Sequence, residues 1–201
     1  YLIVNIECVK ISEINYHHLF DKIFCNNYNS YFIMKELLSH KCHHLGFHLE
    51  HEFTQNNVKK NKNDNILKFV SIGGLNSISR KNIDKIIYIF DELLLENNYT
   101  DIELNVFIQG VEIFDQFKNI KHKNITIIIQ GFSYQENLKN IFNNDIFIHL
   151  GGQEGLGLGF YEALYLGLPI LTLDWTPNNE IIKHNDNGWL IQCSQDKIYE
   201  N

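Results

Sequence analysis

Several residue types are nearly missing from this chain. Alanine occurs once (Ala163), arginine once (Arg80), methionine once (Met34) and proline twice (Pro169, Pro177) in 201 residues. Asn, Ile, Lys, Tyr and Phe are abundant instead, as in an AT-rich coding sequence. Long apolar runs are missing too. The longest is about five residues, far short of the roughly 20 that span a bilayer, so no transmembrane helix is expected. There is no excess of basic charge: 17 Lys and Arg against 24 Asp and Glu leave a net charge of −7. That argues against a nucleic-acid footprint or a polybasic membrane surface. The cysteines at 8, 25, 42 and 193 form no CxxC pair. Reduced thiols in a cytoplasmic protein are the expectation. The start lacks both a methionine and the basic region of a signal peptide, so Tyr1 reads as the opening of a piece of something longer.

What is present is the composition of a globular protein, 44% hydrophobic and 20% charged, which excludes disorder and fibrous architectures. Short β-rich runs alternate with helical stretches, the pattern of a parallel α/β sheet. Six strands are expected at 66–71, 102–108, 124–129, 145–150, 169–173 and 188–192. Helices are expected between them near 80–96, 111–118, 134–142, 156–167 and 176–184. In the first of these, Ile83, Ile86, Ile87, Phe90, Leu93 and Leu94 make one apolar stripe. Six strands separated by helices give a doubly wound, Rossmann-like unit over 66–201. Residues 1–53 read β-α-β-α-β at their start, as the end of a second such domain, with strands at 1–6, 22–25 and 43–47 and helices near 10–20 and 28–40. Residues 54–65 are polar and aperiodic, the natural linker.

Six of the twelve glycines fall between 151 and 167, in His149-Leu-Gly-Gly-Gln-Glu-Gly-Leu-Gly-Leu-Gly-Phe-Tyr-Glu-Ala-Leu. This is a glycine-rich strand-to-helix turn, in which backbone N–H groups and the helix dipole can hold a phosphate. Gly155-x-Gly157-x-Gly159 is not the GxGxxG spacing of dinucleotide sites, and it follows the fourth strand of the unit rather than the first. With strand order 3-2-1-4-5-6, the loops after strands 1 and 4 flank the switch-point crevice. The first loop then carries Gly74, Arg80 and Lys81 beside the turn. A solvated helix edge explains the two cations, and tight packing the glycines, if no anion binds.

Glu154 and Glu162 are eight residues apart, about 12 Å if all eight steps were helical, and so too far apart for a glycosidase pair. They can instead grip the two hydroxyl-bearing ends of a ligand whose phosphates lie between them. That description fits a nucleotide sugar.

Glu154-x7-Glu162, Arg80-Lys81 following Gly73-Gly74-Leu75, and the run GLPILTLDWTPNNEII with its later NGWLI resemble the donor-binding domain of GT-B glycosyltransferases, family 4 most closely. The resemblance implies a retaining, metal-independent glycosyltransferase needing no cofactor, its substrate a UDP- or GDP-linked sugar and its acceptor unidentified. Glu154 matches the glutamate that contacts the donor sugar, and Glu162 the one on the ribose hydroxyls. The amides around Gly155, Leu156, Gly157 and Leu158 match those that hold the diphosphate, and Lys81 the lysine that neutralises it. Gly131 and Phe132 fall where the backbone meets the base. Where the family has Gly-Arg after the first strand, this chain has Gly73-Gly74, leaving Arg80 as a candidate substitute. Two other readings stay open, a non-catalytic nucleotide-sugar-binding module and a nucleotide-sugar epimerase or phosphorylase on the same architecture.

Three other signals carry less. The histidines between His40 and His51 read as surface and interface residues rather than a zinc site. The sequons at Asn98 and Asn124 read as chance in an Asn-rich chain. For Asp174–Glu180, a strand-turn-helix junction and a role at the sugar pocket weigh equally.

Overall fold

The computed structural model describes residues 1–4, 9–47, 65–74, 80–110, 117, 120, 122–152 and 154–193. Most of the expected linker and of the helix near 111–118 lies outside them.

Two parallel sheets form. The smaller joins β1 (Leu2–Val4), β2 (Ile23–Cys25) and β3 (Cys42–His44) in that order. The short helix α1 (Ile14–His17) precedes β2, and α2 (Tyr28–Leu38) follows it. Met34 and Leu38 of α2 close onto Val4, Ile23, Cys25 and Cys42. The larger sheet contains β4 (Leu67–Gly73), β5 (Ile102–Gln109), β6 (Ile125–Gln130), β7 (Ile146–His149), β8 (Ile170–Leu173) and β9 (Gly188–Ile191). Their spatial order is β6-β5-β4-β7-β8-β9, all parallel, which is the 3-2-1-4-5-6 order expected from the sequence.

Alternation along the strands sends neighbours to opposite faces. Val70 and Phe147 join the core under α4 (Tyr134–Phe142) and α5 (Leu158–Tyr165), whereas Leu104, Val106 and Ile148 join the core under α3 (Ile83–Asn97). Helices thus cover both faces. The stripe of α3 is narrower than expected: Ile83, Ile86, Ile87, Phe90 and Leu94 are buried, but Leu93 stands at its exposed edge. Helix α4 begins with a capping box in which Ser133 and Glu136 bond each other's backbone amides. A last short helix, α6 (Asn178–Ile181), lies between β8 and β9.

The helices that border the switch point start later than the apolar pattern suggests. Asn82, with φ of 52°, breaks the chain before α3, so Arg80 and Lys81 precede that helix rather than lie in it. Gly157, with φ of 72°, caps α5, which therefore begins at Leu158 and not near Leu156. The β4–β7 ladder spans only Phe69↔Ile146 and Val70↔Phe147, whereas β4 stays paired with β5 as far as Gly73↔Ile108. The carboxyl ends of β4 and β7 therefore part, and a crevice opens between them.

Candidate functional site

A cavity of about 230 Å³ fills that crevice. One wall is the end of β4 (Ile72, Gly73, Gly74) with Lys81, and the opposite wall is the end of β7 (Phe147, His149) with Glu154. The first turn of α5, Gly157 to Phe160, and then Glu162 form its floor, and Gln109, Tyr134 and Asn137 complete it. Asn82 holds the two loops together by donating its side-chain amide to the Leu150 carbonyl at 2.7 Å. Asn178, 1% exposed, does the same from beyond β8, donating to the Gly151 carbonyl and to the Thr172 hydroxyl.

One oxygen of Glu154 gathers three groups. Its Oε1 lies 3.6 Å from Arg80 Nη1, 3.6 Å from Lys81 Nζ and 3.3 Å from His149 Nε2, with the Glu154 side chain only 8% exposed. Two cations compensate the buried carboxylate, which on its own would be costly. His149 is neutral: burial, reinforced by Lys81 and Arg80, pushes its pKa down to about 3. The Nε2 atom is within reach of Oε1 but makes no well-aligned hydrogen bond.

Glu162 lies one turn into α5 and also lines the cavity. The Tyr134 hydroxyl bonds its carboxylate, and burial holds the Glu162 pKa above the usual carboxylate value. Burial and the neighbouring Glu162 raise the Tyr134 phenol to about 12, so it stays a donor. Between the two carboxylates, the backbone of Gly157, Leu158 and Gly159 turns into the cavity wall. This arrangement suits a ligand with an anionic middle and hydroxyl-bearing ends.

Two glycines at the start of α5 leave little room for a side chain. A Cβ on Gly157 would stand 2.6 Å from Phe160 Cδ2 at an already left-handed φ, and one on Gly159 would press on Phe147 Cζ at 3.1 Å. Gly74 differs, since a Cβ there meets nothing within 4 Å.

Of the residues singled out from the sequence, Gly74, Lys81, Glu154, Gly157, Leu158 and Glu162 line the one cavity. Arg80 reaches it through Glu154. Gly155, Leu156, Gly131 and Phe132 do not line it. Phe132 packs edge-on against Phe107, and the Gly155 carbonyl accepts from the Asn27 side chain. Sequence reasoning missed His149, Tyr134, Gln109 and Asn137. Only His149 had a visible signal, a lone polar residue ending the apolar run of β7. The Asp174–Glu180 segment lines no part of the cavity, and Glu180 instead accepts from the backbone amides of Tyr28 and Asn29. Among the described residues no group of three or more His, Cys, Asp or Glu is arranged to hold a metal ion, and no helix is long and apolar enough to cross a membrane. Asn124, one of the sequon residues, is buried and donates to the Ile102 carbonyl.

Two outcomes follow from this geometry. Gly157→Ala must strain a left-handed residue and displace Phe160, so denaturant unfolding should show a loss of about 1–3 kcal/mol; an unchanged midpoint would contradict the contact. Unfolded His149 takes up its proton near pH 6.5, whereas folded His149 does so only near pH 3. Between these values the unfolded state binds more protons, so stability is full above pH 6.5 and falls as the pH drops towards 3. In His149→Gln the acid-side fall of the melting temperature should be shallower than in the parent protein, and equal slopes would count against a buried neutral imidazole.

Comparison with solved structures places the fold. The chain matches the pneumococcal O-GlcNAc transferase GtfA, solved with UDP and GlcNAc, at a TM-score of 0.72 and 16% identity, covering 94% of this chain and 37% of that one. It matches the S. aureus protein TarM, solved with Fondaparinux, α-GlcNAc-glycerol and UDP, at 0.69 and 14% identity, over 90% of this chain and 36% of that one. Anabaena HepE, solved with UDP and glucose, matches at 0.65 and 13% identity, over 90% and 52%. The chain thus spans between about a third and a half of these neighbours, whose fold is GT-B. No curated protein matches it. The model of the family described as glycosyl transferases group 1 matches residues 52–200, and the protein belongs to that family.

Proposed function

We propose that the chain carries the donor site of a family 4 glycosyltransferase, which moves a sugar from a UDP- or GDP-linked donor to an acceptor with retention of configuration. In this reading residues 66–201 are the nucleotide-sugar domain, 54–65 a linker, and 1–53 the end of the acceptor domain. The observation that carries it is that Glu154, Glu162 and the start of α5 line one cavity together with Lys81.

Each group then has a task. Glu162 accepts from the ribose hydroxyls, its carboxylate oriented by the Tyr134 hydroxyl. The diphosphate rests against the amides at the start of α5, where the helix dipole favours negative charge. Lys81 and Arg80 neutralise the charge that builds up on the leaving diphosphate, the kind of electrostatic stabilisation that dominates many enzymes. These two side chains and the helix start supply positive charge without a divalent ion. Glu154 accepts from the hydroxyls of the donor sugar. As the bond from the sugar C1 to the β-phosphate oxygen breaks, the bond from C1 to the acceptor oxygen forms on the same face, and the acceptor proton passes to the leaving phosphate. The free thiols of Cys25, Cys42 and Cys193 support a reducing, cytoplasmic setting. The structural neighbours HepE and GtfA, both solved with UDP, support a UDP-linked donor by likeness of fold alone.

Calorimetric titration of the intact protein with UDP and with GDP tests the ribose role. Glu162→Ala should weaken the binding of the diphosphate that binds by roughly tenfold or more, since the lost acceptor serves charge-assisted hydrogen bonds. Unchanged affinity would refute that role. Glu154→Gln should lower turnover more than it lowers nucleotide affinity, and equal losses would contradict a role at the sugar.

One observation favours the binding-module reading. Gly73-Gly74 leaves the end of β4 without a cation of its own, although a side chain at Gly74 would meet no obstacle. Gly74→Arg should therefore tighten UDP or GDP binding by about fivefold to tenfold at low salt, with the gain shrinking as salt rises. No gain would show that the diphosphate lies elsewhere.

A further inference from the structure

The glycine-rich turn is held from outside its own sheet. Asn27 ends the connection from β2 and caps α2, and it is 4% exposed. Its Oδ1 accepts from Ser30 N at 2.8 Å, three residues into the cap. That bond fixes which way the side-chain amide faces, because only the oxygen can accept. The nitrogen is left pointing across to the larger sheet, where it donates to the carbonyl of Gly155. Gly155 follows Glu154 and stands two residues before Gly157, the left-handed cap of α5. The same helix start is gripped a second time. Glu180 accepts from Tyr28 N and from Asn29 N, both at 2.8 Å. The amides of Tyr28, Asn29 and Ser30 have no carbonyl within their own helix. One is served by Asn27 and two by a carboxylate beyond β8, and Phe47 packs on Tyr161 of α5 with ring centroids 5.0 Å apart.

We propose that Asn27 is a positioning residue for the donor turn, its side-chain amide holding the Gly155 carbonyl so that Glu154 and the amides opening α5 face the cavity, with Glu180 clamping α2 in place for that bond. The inference rests on the reading that this turn holds the diphosphate of the donor. The smaller sheet then sets the geometry of the phosphate site although none of its residues lines the cavity. Opening the gap between the sheets would release Gly155 and loosen the donor turn, so donor affinity and the closed arrangement of the two sheets are linked.

Asn27→Ser separates this role from a simple cap. Serine is a good N-cap and keeps a hydroxyl for Ser30 N, but it is too short to reach Gly155; Asn27→Ala loses both bonds. In the intact protein, Asn27→Ser should melt close to the parent, bind UDP or GDP about fivefold to tenfold more weakly, and exchange the amides of Gly155–Leu158 faster in the absence of nucleotide. With a donor sugar, KM should rise more than kcat falls. Glu180→Gln, which weakens the grip on two amides, should shift the same exchange rates in the same direction. The proposal is overturned if Asn27→Ser leaves both nucleotide affinity and exchange at parental values. It is also overturned if affinity falls only in step with melting temperature across Asn27→Ser and Asn27→Ala, which would make Asn27 a helix cap and nothing more. Should the parent bind neither diphosphate, the donor reading fails, and the exchange comparison still decides whether Asn27 holds the turn.

Discussion

A buried carboxylate compensated by two cations, at the point where the strand order of a parallel sheet reverses, is the interaction on which the site depends. Arg80 and Lys81 both approach the Glu154 carboxylate at 3.6 Å and offset the cost of burying it at 8% side-chain exposure. The three residues come from two loops that meet only because β4 and β7 are sheet neighbours. The ladder between those strands stops early, so the loops enclose space rather than each other. Asn82 and Asn178 then tie the loop carbonyls of Leu150 and Gly151 to the elements on either side. In the proposed reading, an arriving diphosphate would share Lys81 and Arg80 with the carboxylate they already pair with.

The two carboxylates of the cavity differ in character. Glu154 pairs with two cations, whereas Glu162 bonds a phenol, with Lys81 a weaker influence, and is destabilised in its charged form by burial. A carboxylate in that state gains most from new hydroxyl donors, which supports its assignment to the ribose. Glu154 already has charged partners and can offer its remaining acceptor capacity to a sugar without losing them. In the proposed reading, chemically similar residues serve different groups of one ligand because their surroundings differ.

The sheet order and its crevice were legible in the sequence because they follow from hydrophobic periodicity and topological rules that need only local information. So was the pairing of the Glu154 turn with Arg80 and Lys81, which strand order alone brings together. The helix starts were not. Asn82 and Gly157 take left-handed conformations that apolar spacing does not register, and they moved α3 and α5 past the residues expected to open them. Leu93 fits the helical stripe but sits at its exposed edge. Tyr134 and Asn137 reach the cavity from α4, a helix whose own pattern announces only a core face and a capping box. The sequence offers Asp174–Glu180 as a strand-turn-helix junction or a sugar contact. Glu180 instead serves the amino end of a different helix, 151 and 152 positions away in the chain, a partnership no local pattern encodes.

A structure of the intact protein with UDP or GDP bound is the most direct test. The account requires the diphosphate oxygens within hydrogen-bond reach of the amides at Leu158 and Gly159 and beside Lys81, with the ribose hydroxyls on Glu162. A nucleotide bound away from the β4–β7 crevice, or one in the crevice whose phosphates leave the start of α5 untouched, would contradict it.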